Sequence, residues 1–306
     1  MDEFELIRRY FDRKPAAAGV EIGIGDDGAV LAPHPEKHQV QVIDTLVEGV
    51  HFPADTNPAD IAYRAVAVNL SDIAAMGASP RWMTLALTLN NASETWVEAF
   101  ASGLFEAADA HDLALVGGDT TSGPVVTVTV NITGELEKGS ALLRSGGRVG
   151  DTIFVTGTLG DASAGLALLQ KNEPNAFLVQ RFLRPTARIA TGKQLLRKAS
   201  AAIDISDGLL GDLRKLLSAS KVGGEIDIEK LPLSDALCER FGDAERQRFA
   251  LTGGDDYELC FTGSRDAVRG IAGITAIGTV TASPRLVCRL HNEIVQVDDS
   301  GYRHFR

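Results

Sequence analysis

Cysteine is scarce in this chain: Cys238, Cys260 and Cys288 are its three thiols, with no C-x-x-C spacing. That rules out a disulfide framework and fits a reducing cytosol. Cys260 and Cys288 lie in apolar, strand-like runs and read as buried free thiols. The six histidines are scattered, with no H-x-H or H-E-x-x-H pair, so a zinc site has no basis. No apolar run approaches the ~18 residues needed to span a bilayer. The opening Met1-Asp-Glu-Phe-Glu-Leu-Ile-Arg-Arg9 reads as charged and amphipathic, not as a signal peptide. Basic charge is short: 30 Lys and Arg stand against 41 Asp and Glu, a net charge of −11. Nucleic-acid binding needs a basic footprint, so neither nucleic acid nor a membrane is the expected partner. No G-x-x-x-x-G-K-[ST], H-R-D or D-F-G occurs, which excludes the P-loop and protein-kinase frameworks.

What the chain has is glycine and acid. Its 306 residues favour two domains, and the pattern is mixed. Gln39 to Asp44 reads as a strand ending in the Asp, with Val40, Val42 and Asp44 on one face. Asn57-Pro58 opens a helix, with Asn as N-cap and Pro at the first helical position, and Gly77 stops it. Asn69 and Asp72 share a face of that helix. A strand over 84–89, a helix over 94–110 and a short strand over 113–116 follow. The strand over 125–133 is the strongest in the chain: Val126, Val128, Val130 and Ile132 share one face. Its other face is mild enough to meet a partner subunit. Leu136 to Gly150 looks like a domain join. The second half restarts with a strand over 152–156 and a helix capped by Asp161. It continues with a helix over 186–199, a strand over 202–205, a helix over 208–218 and four further strands. Gly157-Thr-Leu-Gly160 reads as a strand-to-helix turn. The expected division is 1–137, a join over 138–150, and 151–306, in an α+β (mixed α/β) fold.

The 31 glycines and the acid excess coincide. Gly23-Ile-Gly-Asp-Asp27-Gly28, Gly117-Gly-Asp-Thr-Thr121, Asp204-Ile-Ser-Asp207-Gly208 and Gly253-Gly-Asp-Asp256 are four such turns. Each alone is explained by turn and cap chemistry. Together they crowd like charges at strand ends, and divalent cations supply a reason. Mg²⁺ takes oxygen ligands and bridges carboxylates to phosphates, and Gly lets a polyphosphate approach backbone N–H groups. The physical reading is a multi-magnesium nucleotide site drawing on both halves.

The ordered set of motifs resembles the thiamine-monophosphate kinase family, in the superfamily of aminoimidazole ribonucleotide synthetase and selenophosphate synthetase. The matching segments are the four turns above, Asp44-Thr-Leu-Val-Glu-Gly-Val-His-Phe52, Ala67-Val-Asn-Leu-Ser-Asp72 with Met76-Gly77, Tyr257-Glu-Leu259, and Gly301-Tyr-x-His-Phe305. The resemblance implies ATP-dependent phosphorylation of thiamine phosphate to thiamine diphosphate. It also implies a cytoplasmic homodimer in which N-terminal strands of two subunits form a barrel. Carried over, Asp27, Asp44, Asp72, Asp119, Asp204 and Asp207 are magnesium ligands. Gly118, Asp119, Arg144 and Ser206 contact ATP, and His51, Asp255 and Tyr302 contact thiamine phosphate. Two positions depart from the family: Val42-Ile43 replaces its usual Ser-Thr, and Asp255 replaces its usual Glu.

The acceptor is itself a phosphate monoester, ionised near neutral pH, so no general base is required and none is assigned. A selenophosphate synthetase would need a reactive Cys near the N-terminus, and the first here is Cys238. The alternative from another class is a non-catalytic magnesium-nucleotide sensor or dimeric scaffold.

Overall fold

The computed structural model describes residues 3–13, 18–91, 93–173 and 175–297. The chain splits into two compact units, one of Met1–Ile73 with Ala78–Gly139, the other of Ala74–Gly77 with Ser140–Arg306.

The first unit runs α1 (Glu3–Tyr10), β1 (Val20–Ile22), β2 (Val30–Leu31), β3 (Lys37–Val47), α2 (Pro58–Ala75), β4 (Ser79–Leu89), α3 (Glu94–Asp109), β5 (Ala114–Ser122) and β6 (Thr127–Glu137). A four-stranded sheet has the order β3-β6-β4-β5, with only β4 and β5 parallel. Alternation decides its faces. Val128, Val130 and Ile132 are fully buried, and the register sets Met83, Leu85 and Leu87 beside them. The opposite face carries Ile43, Thr45, Thr84, Thr129 and Asn131.

The α2 cap forms as its sequence dictates: Asn57 Oδ1 accepts the Ala59 N–H at 2.9 Å, and Pro58 is the first helical residue. The helix closes with Gly77 at φ +73°, while Gly77 N–H and Ala78 N–H bond back to Ala74 O and Ile73 O. Two strand readings need correction. β3 does not end at Asp44 but runs three residues further, and β5 does not stop at Val116 but carries the Gly-Gly-Asp within the strand. Pairing with β6 and β4 keeps both extended where local pattern shows only turn residues.

The second unit runs β7 (Thr152–Thr156), α4 (Asp161–Gln170), α5 (Ala176–Leu183), α6 (Ile189–Leu195), β8 (Ala199–Asp204), α7 (Leu209–Ser220), β9 (Gly223–Asp227), α8 (Asp235–Arg240), α9 (Asp243–Thr252), β10 (Leu259–Gly263), β11 (Ile274–Thr281), β12 (Leu286–Leu290) and β13 (Glu293–Val295). Seven strands form one sheet in the order β13-β12-β9-β11-β7-β10-β8. It is covered on both faces, which is why β7 and β10 are buried at every residue. Ile153, Val155, Ile203 and Cys260 pack with Leu209, Leu213 and Leu217 of α7. Phe154, Ala202 and Phe261 pack on the other side with Leu142 and Leu195. Cys260 and Cys288 are buried free thiols, as read, and burial pushes both thiols up.

Two helix readings also change. The helix expected over 186–199 is the shorter α6, because Ala199 already pairs in the sheet. Asp161 is not the N-cap of α4. Gly160 holds that position, and Asp161 is the first helical residue.

Candidate functional site

The candidate residues fall into two sets, one in each unit. In the first unit a cavity of about 650 Å³ brings Asp27, Gly118 and Asp119 together, with Asp26, Gly117 and Thr120 beside them. Ile7, Arg8, Phe11 and Asp12 form another part of its wall. Asp26, Asp27 and Asp119 are all exposed, so the carboxylates stand in water. Asp26 Oδ1 accepts the Asp27 N–H at 2.9 Å, which shapes the turn. Gly118 has a packing reason to be Gly: a Cβ there would lie 2.0 Å from Leu85 O of the paired strand.

Asp44 and Asp72 do not line this cavity. The register runs Asp44, Val130, Leu85 and Gly118 straight across the sheet. Three strand spacings therefore separate Asp44 from Gly118, about 14 Å. Asp72 lies on α2, half-buried, one turn beyond Asn69. Asn69 is fully buried and donates to Ala65 O at 2.9 Å, while its Oδ1 has no hydrogen-bond partner among the described residues. His51 sits in the turn after β3, where its Nδ1 accepts the Val47 N–H at 3.0 Å. That bond makes Nε2 the nitrogen that carries the proton in the neutral ring.

In the second unit Asp204 ends β8, buried, opposite Leu259. Ser206 and Asp207 follow in a loop that Asp212 organises. Asp212 Oδ2 accepts the N–H of Ser206 at 3.0 Å and of Asp207 at 2.9 Å. Lys215 Nζ reaches Asp207 Oδ2 at 2.6 Å and Asp212 Oδ1 at 2.8 Å. Burial pushes the Asp212 carboxyl up, and Lys215 with the backbone N–H pulls it back. Asp255 lies beside this loop, its N–H on Ser206 O at 2.8 Å. Arg144 is exposed, and its carbonyl accepts the Ser220 hydroxyl at 2.9 Å. Tyr302 lies outside the described residues.

Sequence reasoning passed over Arg8 and Asp212, and took Asp26 only as part of the turn that carries Asp27. The available signal for Asp212 was an acid in the first turn of the helix that follows Asp204-x-x-Asp207. Removing it has a defined expectation: Asp212→Ala leaves two loop N–H groups and Lys215 short of a partner, costing about 2–3 kcal/mol. Urea denaturation reads that loss, and the same variant should raise KM for ATP.

Magnesium prefers oxygen donors and keeps several of its waters. The donors here fit: carboxylates of Asp26, Asp27 and Asp119 on one cavity, and the orphaned Oδ1 of Asn69 one turn from Asp72. Among the described residues no three His, Cys, Asp or Glu side chains converge on one point. Such a donor set suits a hydrated ion shared with phosphate oxygens better than a closed protein cage. No helix among the described residues is long and apolar enough to cross a membrane.

The AIR synthase related protein N-terminal domain matches residues 25–136, and the corresponding C-terminal domain matches 148–291. A thiamine-monophosphate kinase of Escherichia coli (strain K12) is 48% identical, covering 99% of this chain and 98% of that protein. That of Bacillus subtilis (strain 168) is 35% identical over the whole of both chains. Among solved structures, thiamine-monophosphate kinase from Stenotrophomonas maltophilia K279a superposes with a TM-score of 0.85, at 42% identity over 95% of this chain and 96% of that one. AaThiL complexed with AMPPCP and TMP gives 0.82, at 36% identity over 99% and 96%. The chain belongs to the thiamine-monophosphate kinase family, within the AIR synthase related proteins.

Proposed function

We propose that this chain transfers the γ-phosphoryl group of ATP directly to thiamine phosphate, giving thiamine diphosphate and ADP, with several magnesium ions. The observation that carries the reading is the cavity where Asp27 and Asp119 stand exposed beside Gly117 and Gly118. The AaThiL complex with AMPPCP and TMP supports the pairing of substrates.

Asp26, Asp27 and Asp119 would hold magnesium on this cavity, with Asp44, Asp72, Asp204 and Asp207 as further ligands. When bound, the ions neutralise two sets of phosphate oxygens that otherwise repel each other. The residues of the chain bind and orient. Backbone N–H groups around Gly117 and Gly118 meet phosphate closely because no side chain intervenes. Gly118, Asp119, Arg144 and Ser206 contact ATP, and Arg144 adds a fixed positive fork. His51, Asp255 and Tyr302 contact thiamine phosphate, with the Nε2–H of His51 as a donor. Asp207, whose carboxylate pairs with the Lys215 ammonium at 2.6 Å, would hold a magnesium ion there. The transfer needs no proton abstraction: an oxygen of the acceptor phosphate bonds to the γ-phosphorus as the bond to the ADP oxygen breaks. Position and charge are what these residues supply.

The reading includes a cytoplasmic homodimer whose first-unit strands close a barrel. It is supported by the sheet's outer face, where Ile43 is 64% exposed among threonines, and by the open edge of β3.

The test is product formation from ATP, Mg²⁺ and thiamine phosphate, with free thiamine and aminoimidazole precursors as controls. ADP and thiamine diphosphate should appear in equal amounts, and only with thiamine phosphate. Nucleotide binding without turnover would favour the sensor reading instead.

A further inference from the structure

We propose that Asp256 and Glu258 are positioning residues for Asp255: they anchor residues 255–258 inside the second unit and thereby hold the Asp255 carboxylate beside Ser206. The proposal rests on the reading of Asp255 as a contact of thiamine phosphate.

Pairing between β8 and β10 continues past the last residue of β8. Ile205 N–H donates to Glu258 O, Tyr257 N–H to Ile205 O, and Asp255 N–H to Ser206 O, each at 2.8 Å. Within this extension Asp255 has φ +71° and Tyr257 φ +51°. Residues with a side chain rarely adopt that region, and they stay there only where the surroundings over-determine them. The two intervening acids provide the surroundings, and both are fully buried.

Asp256 sits at the start of α4. Its Oδ2 accepts the Gly160 N–H at 2.7 Å and its Oδ1 the Ala162 N–H at 3.4 Å. These donors have no partner within the helix, and the helix dipole favours an anion there. Glu258 is held from three sides. Its Oε1 accepts from Arg181 Nη2 at 2.8 Å and Arg188 Nη2 at 2.5 Å. Its Oε2 accepts from Arg188 Nε at 2.6 Å and the Thr156 hydroxyl at 2.5 Å. The Tyr257 hydroxyl then donates to Asp255 Oδ1 at 3.2 Å. The buried acids thus fix the backbone, and the backbone fixes the half-buried Asp255. No acid of this pair needs to touch the substrate.

Steady-state kinetics of the full-length chain tests this, using Asp255→Ala as reference and Asp256→Ala and Asp256→Asn as variants. Asn keeps one oxygen for the Gly160 N–H, and Ala keeps none. KM for thiamine phosphate should rise about tenfold in Asp256→Ala and about threefold in Asp256→Asn, with KM for ATP unchanged, because misplacing a binding group acts on its own substrate. A folded Asp256→Ala with KM for thiamine phosphate within about twofold of the parent overturns the proposal. So does a rise in both KM values together, which marks general loosening. If Asp256→Ala fails to fold, Asp256→Asn carries the same comparison. An unchanged KM in Asp255→Ala overturns the reading of Asp255 itself. A raised KM there with none in the Asp256 variants overturns the positioning proposal alone.

Discussion

Asp119→Asn should lower kcat by at least ~10³ while leaving the fold intact, because it removes one anionic ligand where transition-state charge is neutralised. Asp119 is exposed on β5, and its carboxylate is not part of the core. Substitution there should change stability by no more than ~0.5 kcal/mol. The two measurements separate cleanly: turnover collapses and the urea midpoint stays. Raising magnesium should restore only part of the rate. A variant with near-normal kcat at ordinary magnesium would remove Asp119 from the metal set.

Glu258→Ala should have the largest effect on stability, about 3–5 kcal/mol, because it leaves two partly buried arginines without their carboxylate. Glu258 is fully buried and holds Arg181, Arg188 and Thr156 at once. Its hydrogen bonds and charge hold the Arg188 guanidinium above its usual range. Asp161 leaves Arg181 little compensation, since its Oδ2 lies 3.7 Å from Arg181 Nε and already accepts the Thr158 hydroxyl at 2.5 Å. Against a total stability of about 5–15 kcal/mol for an ordinary domain, such a loss is a large fraction. Denaturant unfolding of the variant measures it. A shift under ~1 kcal/mol would show that the arginines find water or another acid.

These two residues also show what was legible in the sequence. Asp119 stands out because two glycines precede it after an apolar run, and it lines one cavity with Asp27. The α2 cap and the alternation of β6 were readable because each is a local signal, spanning a few residues with one physical reason. Asp256 looked like the last residue of the Gly253-Gly-Asp-Asp256 turn. Its partner is the Gly160 N–H, 96 positions away, and no local pattern carries that distance. The same bond explains why Asp161 was misread as a cap: a distant acid already occupies the helix end. α9 escaped for a different reason. α9 is polar through most of its length, and its buried residues are the run Phe249, Ala250 and Leu251. No helical stripe exists there to be read.

Strand order was the other hidden quantity. Asp44 and Asp119 both sit on β-strands beside glycine or threonine, and the sequence places them on equal terms. The order β3-β6-β4-β5 sets them on opposite edges of one sheet. Residues that share a motif set therefore do not share a cavity within the first unit. The family itself was legible because its motifs recur in order along nearly the whole chain. That legibility rests on resemblance; composition and periodicity led only to a magnesium-nucleotide site.

Following the label from γ-³²P-ATP tests the central claim most directly. Direct transfer predicts that all released label enters the terminal phosphate of thiamine diphosphate, one per ADP formed, and that none is released without thiamine phosphate. Label appearing as inorganic phosphate at the same rate with or without the acceptor would contradict the account.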